Sequence, residues 1–320
     1  MKAAVVMGAG QTPRYADFSE PTPAAGESKI TVTAAAISQV VRSRASGRHY
    51  SSSGQFPLVA GVDGVGRLDD GGRVYFGMPR APYGSMAERA VAPPSRCLAL
   101  PDELDDVTAA AIANPGMSSW AALEERARLQ AGETVLINGA TGAAGRLAVQ
   151  IANHLGAKKV IATGRNIEAL KSVADLGADV TIPLVNDEAE LEERFSREFA
   201  QGVDVVLDYL WGKSAERLIA AGAKAGAEAV PIRFVQIGAV SGADITLPSA
   251  ALRSSAIVLM GSGIGGIPFD RLVKAIDGVL RATGRAGFKI AVNPVPLSEA
   301  ERAWMLSDIP GRTVFTVDPP

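Results

Sequence analysis

Apolar positions along the first third of the chain recur in short runs rather than long stripes. To about residue 115, alternating or wholly apolar segments are separated by turn-forming clusters: Pro21-Thr22-Pro23-Ala24-Ala25-Gly26, Ser51-Ser52-Ser53-Gly54 and Asp69-Asp70-Gly71-Gly72. Period-two patterning punctuated in this way predicts a β-rich region. The third cluster lies between Val65-Gly66-Arg67-Leu68 and Arg73-Val74-Tyr75-Phe76, which predicts a hairpin. A helix is expected over 102–113, with acidic residues in its first turn where the helix dipole favours them.

From Glu133 the rhythm changes to β-branched runs alternating with amphipathic stretches. The predicted strands are Thr134–Ile137, Val160–Thr163, Val180–Ile182, Val203–Asp208, Phe234–Ile237 and Ile257–Met260, with helical patterns over Leu147–Leu155 and Ile167–Leu176. Strand–helix alternation implies a parallel sheet covered on both faces. One more helix is expected from Pro268 to about Arg281. Phe288–Val292 and Thr313–Val317 follow as strands that rejoin the first region. The expected organisation is a β-rich domain of residues 1–117 and 263–320 and a Rossmann domain of residues 118–262.

The strand ending Val135-Leu136-Ile137 runs into Asn138-Gly139-Ala140-Thr141-Gly142-Ala143-Ala144-Gly145 and then an apolar-faced helix. This GxxGxxG spacing differs from GxGxxG but serves the same physics. Gly139 permits a tight exit from the strand, Gly142 a close backbone approach to a pyrophosphate, and Gly145 tight helix–strand packing, while the helix N-terminus offers free N–H groups. Residues 139–145 are therefore the expected dinucleotide cradle. Gly8-Ala9-Gly10 also follows a strand pattern, but Pro13 stands where the third glycine belongs, so a plain turn is expected.

The next strand selects the cofactor. NAD sites carry an acid about 20 residues past the glycines to bind the ribose 2′-hydroxyl. This chain has Thr163-Gly164-Arg165-Asn166 there. A guanidinium suits a 2′-phosphate, so NADP(H) is expected over NAD(H), with Glu168 the residue that would serve the alternative.

Composition narrows the function further. The 32 basic and 34 acidic residues give a net charge of −2, and aromatics make up 5% of 320 residues. Neither a basic face nor a stacking platform for nucleic acid is indicated. No secretory signal or spanning helix is expected, and the single cysteine, Cys97, excludes an internal disulfide and is expected to be a buried, inert thiol. A cytoplasmic location fits these features.

Several segments together resemble the medium-chain dehydrogenase/reductase superfamily, and specifically its zinc-free, quinone oxidoreductase-like branch. They are Gly61-Val62-Asp63-Gly64-Val65-Gly66, Asn114-Pro115-Gly116-Met117-Ser118-Ser119-Trp120, the stretch from Gly132-Glu133 through Gly145, Leu176-Gly177-Ala178-Asp179 and Gly311-Arg312-Thr313-Val314. The resemblance implies a GroES-like β-rich catalytic domain beside the Rossmann domain. It matches the zinc ligands of metal-dependent relatives to Ser38, Val62 and Asn114, of which valine cannot ligate and the others are poor ligands.

Without a Lewis acid, a quinone or an activated alkene is a more tractable hydride acceptor than an isolated ketone, because conjugation spreads the developing charge. The resemblance implies Ser38, Tyr50 and Asn114 as catalytic candidates. It adds Tyr209, Leu210, Gly238, Ala239 and Ser262 to the cofactor contacts and implies a homodimer. Tyr209-Leu210-Trp211-Gly212 departs from the proline–glycine segment usual after the fourth strand. Two other readings remain open: an NADPH-binding sensor or structural protein with little turnover, and a metal-independent carbonyl reductase.

Overall fold

The computed structural model describes residues 1–47, 54–185, 187–306 and 311–317. In chain order the first elements are β1 (Lys2–Val6), β2 (Arg14–Asp17), β3 (Ser28–Ala36), α1 (Gln39–Ala45), β4 (Leu58–Val59), β5 (Asp63–Leu68), β6 (Arg73–Gly77), β7 (Arg89–Ala92), β8 (Cys97–Ala99) and α2 (Asp106–Ala121). An alternating series follows: β9 (Thr134–Asn138), α3 (Ala143–His154), β10 (Lys159–Gly164), α4 (Ile167–Ala174), β11 (Val180–Pro183), α5 (Glu188–Ala200), β12 (Val205–Asp208), α6 (Gly212–Ala225), β13 (Ile232–Gln236), α7 (Ser249–Arg253) and β14 (Ile257–Gly261). The chain ends with α8 (Phe269–Ala286), β15 (Val292–Pro296), α9 (Ala300–Met305) and β16 (Arg312–Thr316).

Two compact units result, Met1–Asn114 with Leu280–Pro320, and Pro115–Val279. The second crossing falls inside α8, later than the expected 262/263 boundary. The first half of α8 packs on α2: a Cβ on Gly278 would meet the Trp120 ring at 2.8 Å.

In the first unit, the described strands form a sheet ordered β15-β16-β3-β5-β6-β8, with β7 also on β3, and a smaller sheet ordered β2-β1-β4. The β5–β6 hairpin forms as expected. Gly71 takes a left-handed φ of +86°, the Leu68 N–H donates to the Gly72 carbonyl at 2.9 Å, and Asp70 accepts from the Gly72 N–H at 2.9 Å. The core here gathers Val32, Val74, Phe76, Met86, Trp304 and Phe315.

Three expectations need correction. No strand spans Phe288–Val292; the edge strand β15 begins only at Val292 and carries Pro294 and Pro296. Proline is tolerated on an edge because the missing N–H faces away from the ladder, yet it hides such a strand from pattern reading. The helix expected over 102–113 starts at Asp106, because Pro101–Leu104 forms a turn and the Asp105 carboxylate takes the Thr108 N–H at 2.9 Å. Cys97 is half-buried, and burial pushes its thiol pKa up, which keeps it a thiol rather than a thiolate.

The second unit is a six-stranded parallel sheet ordered β11-β10-β9-β12-β13-β14. β9 is buried at every position, as a strand enclosed on both faces must be. Leu136, Ile161, Val206 and Phe234 carry one face onto Phe195 and Phe199 of α5 and Leu218 of α6. The chain winds outward from β9 to β11 and then returns to β12 on the other side. The winding therefore reverses between β9 and β12, where crevices for ligands open at strand C-termini.

Candidate functional site

At the C-terminal end of β9, Gly139 takes φ +94°, a left-handed conformation that costs an L side chain energy and costs glycine little. A Cβ on Gly145 would stand 2.3 Å from the Gly139 carbonyl oxygen and 2.6 Å from the Ala140 Cα. Those are backbone atoms that cannot swing away, so only glycine lets α3 approach the strand this closely. Gly142 differs: it is the N-cap residue of α3, and a Cβ there would meet nothing within 4 Å. Protein packing does not require glycine at 142, but a ligand approaching the backbone would. Among the described residues no side chain caps α3, which leaves the first-turn N–H groups of Ala143, Ala144 and Gly145 without a side-chain acceptor.

A buried polar lattice fixes this turn. Thr163 of β10, Asn138 of β9 and Asp208 of β12 lie side by side in register. The Thr163 hydroxyl donates to Asn138 Oδ1 at 2.7 Å and accepts from the Gly139 N–H at 3.2 Å, while its carbonyl accepts from Ala140 at 2.8 Å. The Asn138 amide donates to Asp208 at 2.8 Å and to Ser214 at 2.9 Å. Asp208 also accepts from the Leu210 and Trp211 N–H groups at 3.0 and 3.1 Å. Burial raises its pKa, and those backbone and amide bonds act in the opposite direction. Nothing in the glycine spacing announced this lattice; the Asn138…Asp208 pairing is visible only once β9 and β12 are neighbours.

The carboxylate of Asp208 also pins an unusual backbone. Trp211 has φ +59° and ψ −155°, a region otherwise nearly reserved for glycine, and its ring stands edge-on to Phe234 with centroids 6.4 Å apart. Leu210 is buried over Gly139, where a Cβ would meet its side chain at 2.9 Å.

At the end of β10, Gly164 lies against the fingerprint: a Cβ there would be 2.5 Å from the Thr141 methyl. The next residue, Arg165, is exposed, and among the described residues it makes no hydrogen bond or ion pair. Asn166 caps α4 by accepting from the Ala169 N–H at 2.9 Å. The alternative acid, Glu168, sits one residue into α4 and pairs with Lys171 at 2.8 Å, both side chains largely exposed.

Beyond β13, Gly238 donates to the Asp208 carbonyl at 3.1 Å, and a Cβ on it would be 2.6 Å from the Tyr209 carbonyl oxygen. Ala239 follows in the same loop, and the Ser262 N–H reaches the Gln236 carbonyl at 2.8 Å. The phenol of Tyr209, a residue expected among the cofactor contacts, turns into the protein and lies 2.7 Å from the Ser119 hydroxyl, and burial pushes its pKa up to about 12.

In the first unit, Ser38 caps α1, accepting from the Val41 N–H at 3.1 Å. Asn114 is half-buried within α2, immediately before Pro115, and Tyr50 lies outside the described residues. Val62 is buried beside Asp63, which entered the sequence reading only as part of the Gly61–Gly66 segment and with no role of its own. Asp63 is enclosed and accepts from the Tyr75 hydroxyl at 3.1 Å, and its second oxygen has no hydrogen-bond partner among the described residues. Burial raises its pKa to about 6 despite the opposing influence of the Arg312 guanidinium. Among the described residues, no three His, Cys, Asp or Glu side chains gather as metal ligands would.

Comparison with known proteins bears on these sites. Residues 143–292 match the family described as zinc-binding dehydrogenase. The "Probable NADPH-dependent quinone reductase tdiC" of Emericella nidulans is 30% identical, over 95% of this chain and 96% of that one. The 2-methylene-furan-3-one reductase of Solanum lycopersicum is 29% identical, over 83% of this chain and 71% of its own length. Among solved structures, the quinone oxidoreductase of Thermus thermophilus, described also in its complex with NADPH, is 27% identical. It has a TM-score of 0.81 and covers 99% of this chain and 100% of that one.

Proposed function

The chain belongs to the quinone oxidoreductase-like branch of the medium-chain dehydrogenase/reductases, and on that premise we propose that it reduces a quinone or an activated alkene with NADPH and without zinc. One observation carries the reading: an uncapped, glycine-gated α3 N-terminus stands beside β10, whose end presents the unpaired Arg165 where an NAD site would present an acid. The cradle that a Cβ on Gly142 would fill suits a diphosphate, and a guanidinium suits a 2′-phosphate. The relatives named for NADPH support the same cofactor.

When bound, NADPH supplies the hydride. The chain's own part is to hold, orient and stabilise. The N–H groups of Ala143–Gly145 hold the diphosphate, Arg165 and Asn166 the adenosine end, and Gly238, Ala239 and Ser262 line the nicotinamide half. Ser38 uses its oxygen to cap α1 and keeps its own proton, so its hydroxyl is free to donate to a developing oxyanion. Asn114 and Tyr50 are the other proposed donors. Ser38, Val62 and Asn114 form a poor zinc set by their chemistry, which favours conjugated acceptors over isolated ketones.

The test is a fluorescence titration with NADPH and NADH, followed by NADPH oxidation with quinones and α,β-unsaturated ketones in the presence of a chelator. Preference for NADPH and chelator-resistant turnover is expected. Binding without turnover across the acceptor panel would identify a sensor or structural protein. Loss of activity on chelation would overturn the zinc-free part.

A further inference from the structure

The cofactor cradle leaves the Tyr209 phenol without a role, although the residue is bonded to the cradle's framework through both its backbone and its side chain. Its N–H donates to the Asn138 carbonyl at 3.0 Å, and its carbonyl accepts from Val240 at 3.4 Å. Gly238 is pressed against that same carbonyl, which leaves no room for a side chain at 238. The backbone of Tyr209 thus ties the end of β9 to the 238–240 loop.

The side chain reaches in another direction, and the polarity of its bond can be worked out. Ser119 Oγ lies 2.7 Å from the Tyr209 hydroxyl, 3.2 Å from the Ala144 carbonyl and 3.3 Å from the Pro115 carbonyl. Carbonyls only accept; with the single Ser119 proton on the Ala144 carbonyl, the shorter of its two carbonyl contacts, the Tyr209 hydroxyl donates to Ser119, while the neighbouring Ser118 hydroxyl is spent on the Pro115 carbonyl at 2.8 Å. The upward shift of the Tyr209 pKa keeps that phenol protonated. In that arrangement the chain of bonds runs Tyr209 O–H to Ser119 O–H to the Ala144 carbonyl. That carbonyl shares its peptide group with the Gly145 N–H, one of the uncapped first-turn donors of α3. Hydrogen bonds in such a chain polarise one another, and the effect is larger where water is excluded.

We infer that Tyr209 is a positioning residue for the dinucleotide rather than a contact: through Ser119 it fixes and polarises the first turn of α3 while its backbone holds the 238–240 loop. This inference rests on the cofactor reading proposed above and adds a residue pair to it. The relay acts on the diphosphate donors and leaves the Arg165 end alone. A probe lacking a diphosphate separates it from general damage.

The experiment compares NADPH and 2′-AMP binding, together with NADPH KM and kcat, in wild type, Tyr209→Phe, Ser119→Ala, the double variant and Ser119→Thr. Tyr209→Phe and Ser119→Ala are each expected to weaken NADPH about 10-fold, raising KM with kcat little changed and 2′-AMP binding within about twofold of wild type. The double variant is expected to match the single ones, because both break one relay, and Ser119→Thr should restore binding. Unchanged NADPH affinity in Tyr209→Phe would overturn the inference, and so would equal losses for NADPH and 2′-AMP. Wild-type protein that binds neither dinucleotide would overturn the cofactor reading itself, a result distinct from either of these.

Discussion

Asn138 and Asp208 face each other in register across β9 and β12, amide to carboxylate at 2.8 Å, where the winding of the parallel sheet reverses. Each holds a different piece of the site. Asn138 also takes the Thr163 hydroxyl, which steadies Gly139, and Asp208 takes the N–H groups of Leu210 and Trp211. Both side chains are fully buried, so removing one partner leaves the others without water to replace it.

Asp208→Ala is therefore expected to orphan the Asn138 amide and release the strained Trp211 backbone. A loss of about 3 kcal/mol is expected from unsatisfied buried donors. Urea denaturation followed by circular dichroism checks it. A variant as stable as wild type would mean that the lattice does not hold the switch point.

The glycines of the fingerprint differ in what they tolerate. Gly145→Ala drives a Cβ into the Gly139 carbonyl and should both lower Tm and weaken dinucleotide binding. Gly142→Ala places its Cβ in open space and should leave Tm within about 2 °C while weakening NADPH at least about 10-fold, by loss of close backbone approach. Thermal melts with and without cofactor distinguish the two. Gly142→Ala with full affinity would remove the diphosphate from that position.

Arg165→Ala is expected to raise the Kd for NADPH about 30-fold, corresponding to about 2 kcal/mol for a charge-assisted contact, with NADH binding unchanged. Fluorescence titration measures both. Equal effects on the two dinucleotides would take Arg165 off the 2′-phosphate.

Asp63 gives stability a pH dependence of defined sign. Its pKa is about 6 when folded and about 4 in an unfolded chain, so between those values the folded protein keeps a proton that the unfolded one has released. Its contribution is complete below about pH 4 and is lost as pH rises through 6. Relative to Asp63→Asn, wild type should lose about 2 kcal/mol of stability between pH 4.5 and 7.5, measured by urea denaturation at each pH. Parallel curves for the two proteins would mean that Arg312 and Tyr75 hold the carboxylate ionised throughout.

Local chemistry made much of this architecture legible. The strands of the Rossmann unit were placed within a few residues because parallel strands buried on both faces must be continuously apolar, and the Asp69–Gly72 turn needs a left-handed residue that Gly71 supplies. The position of Arg165 just past the end of β10 was legible because the second strand's end has a known offset from the glycines. β15 was missed because its prolines are acceptable only on an edge, and an edge exists only once the sheet is assembled.

The sequence by itself determined the sheet-and-helix order, the glycine-gated turn and the absence of an acid at the end of β10. Tertiary structure alone decided that Asn138 meets Asp208, that Asp63 is enclosed with Tyr75, and that the Tyr209 phenol turns inward to Ser119. The physical reason is range. Strand periodicity and glycine conformations arise between residues a few positions apart. A buried hydrogen bond joins residues 70 or 90 positions apart and depends on which strands become neighbours.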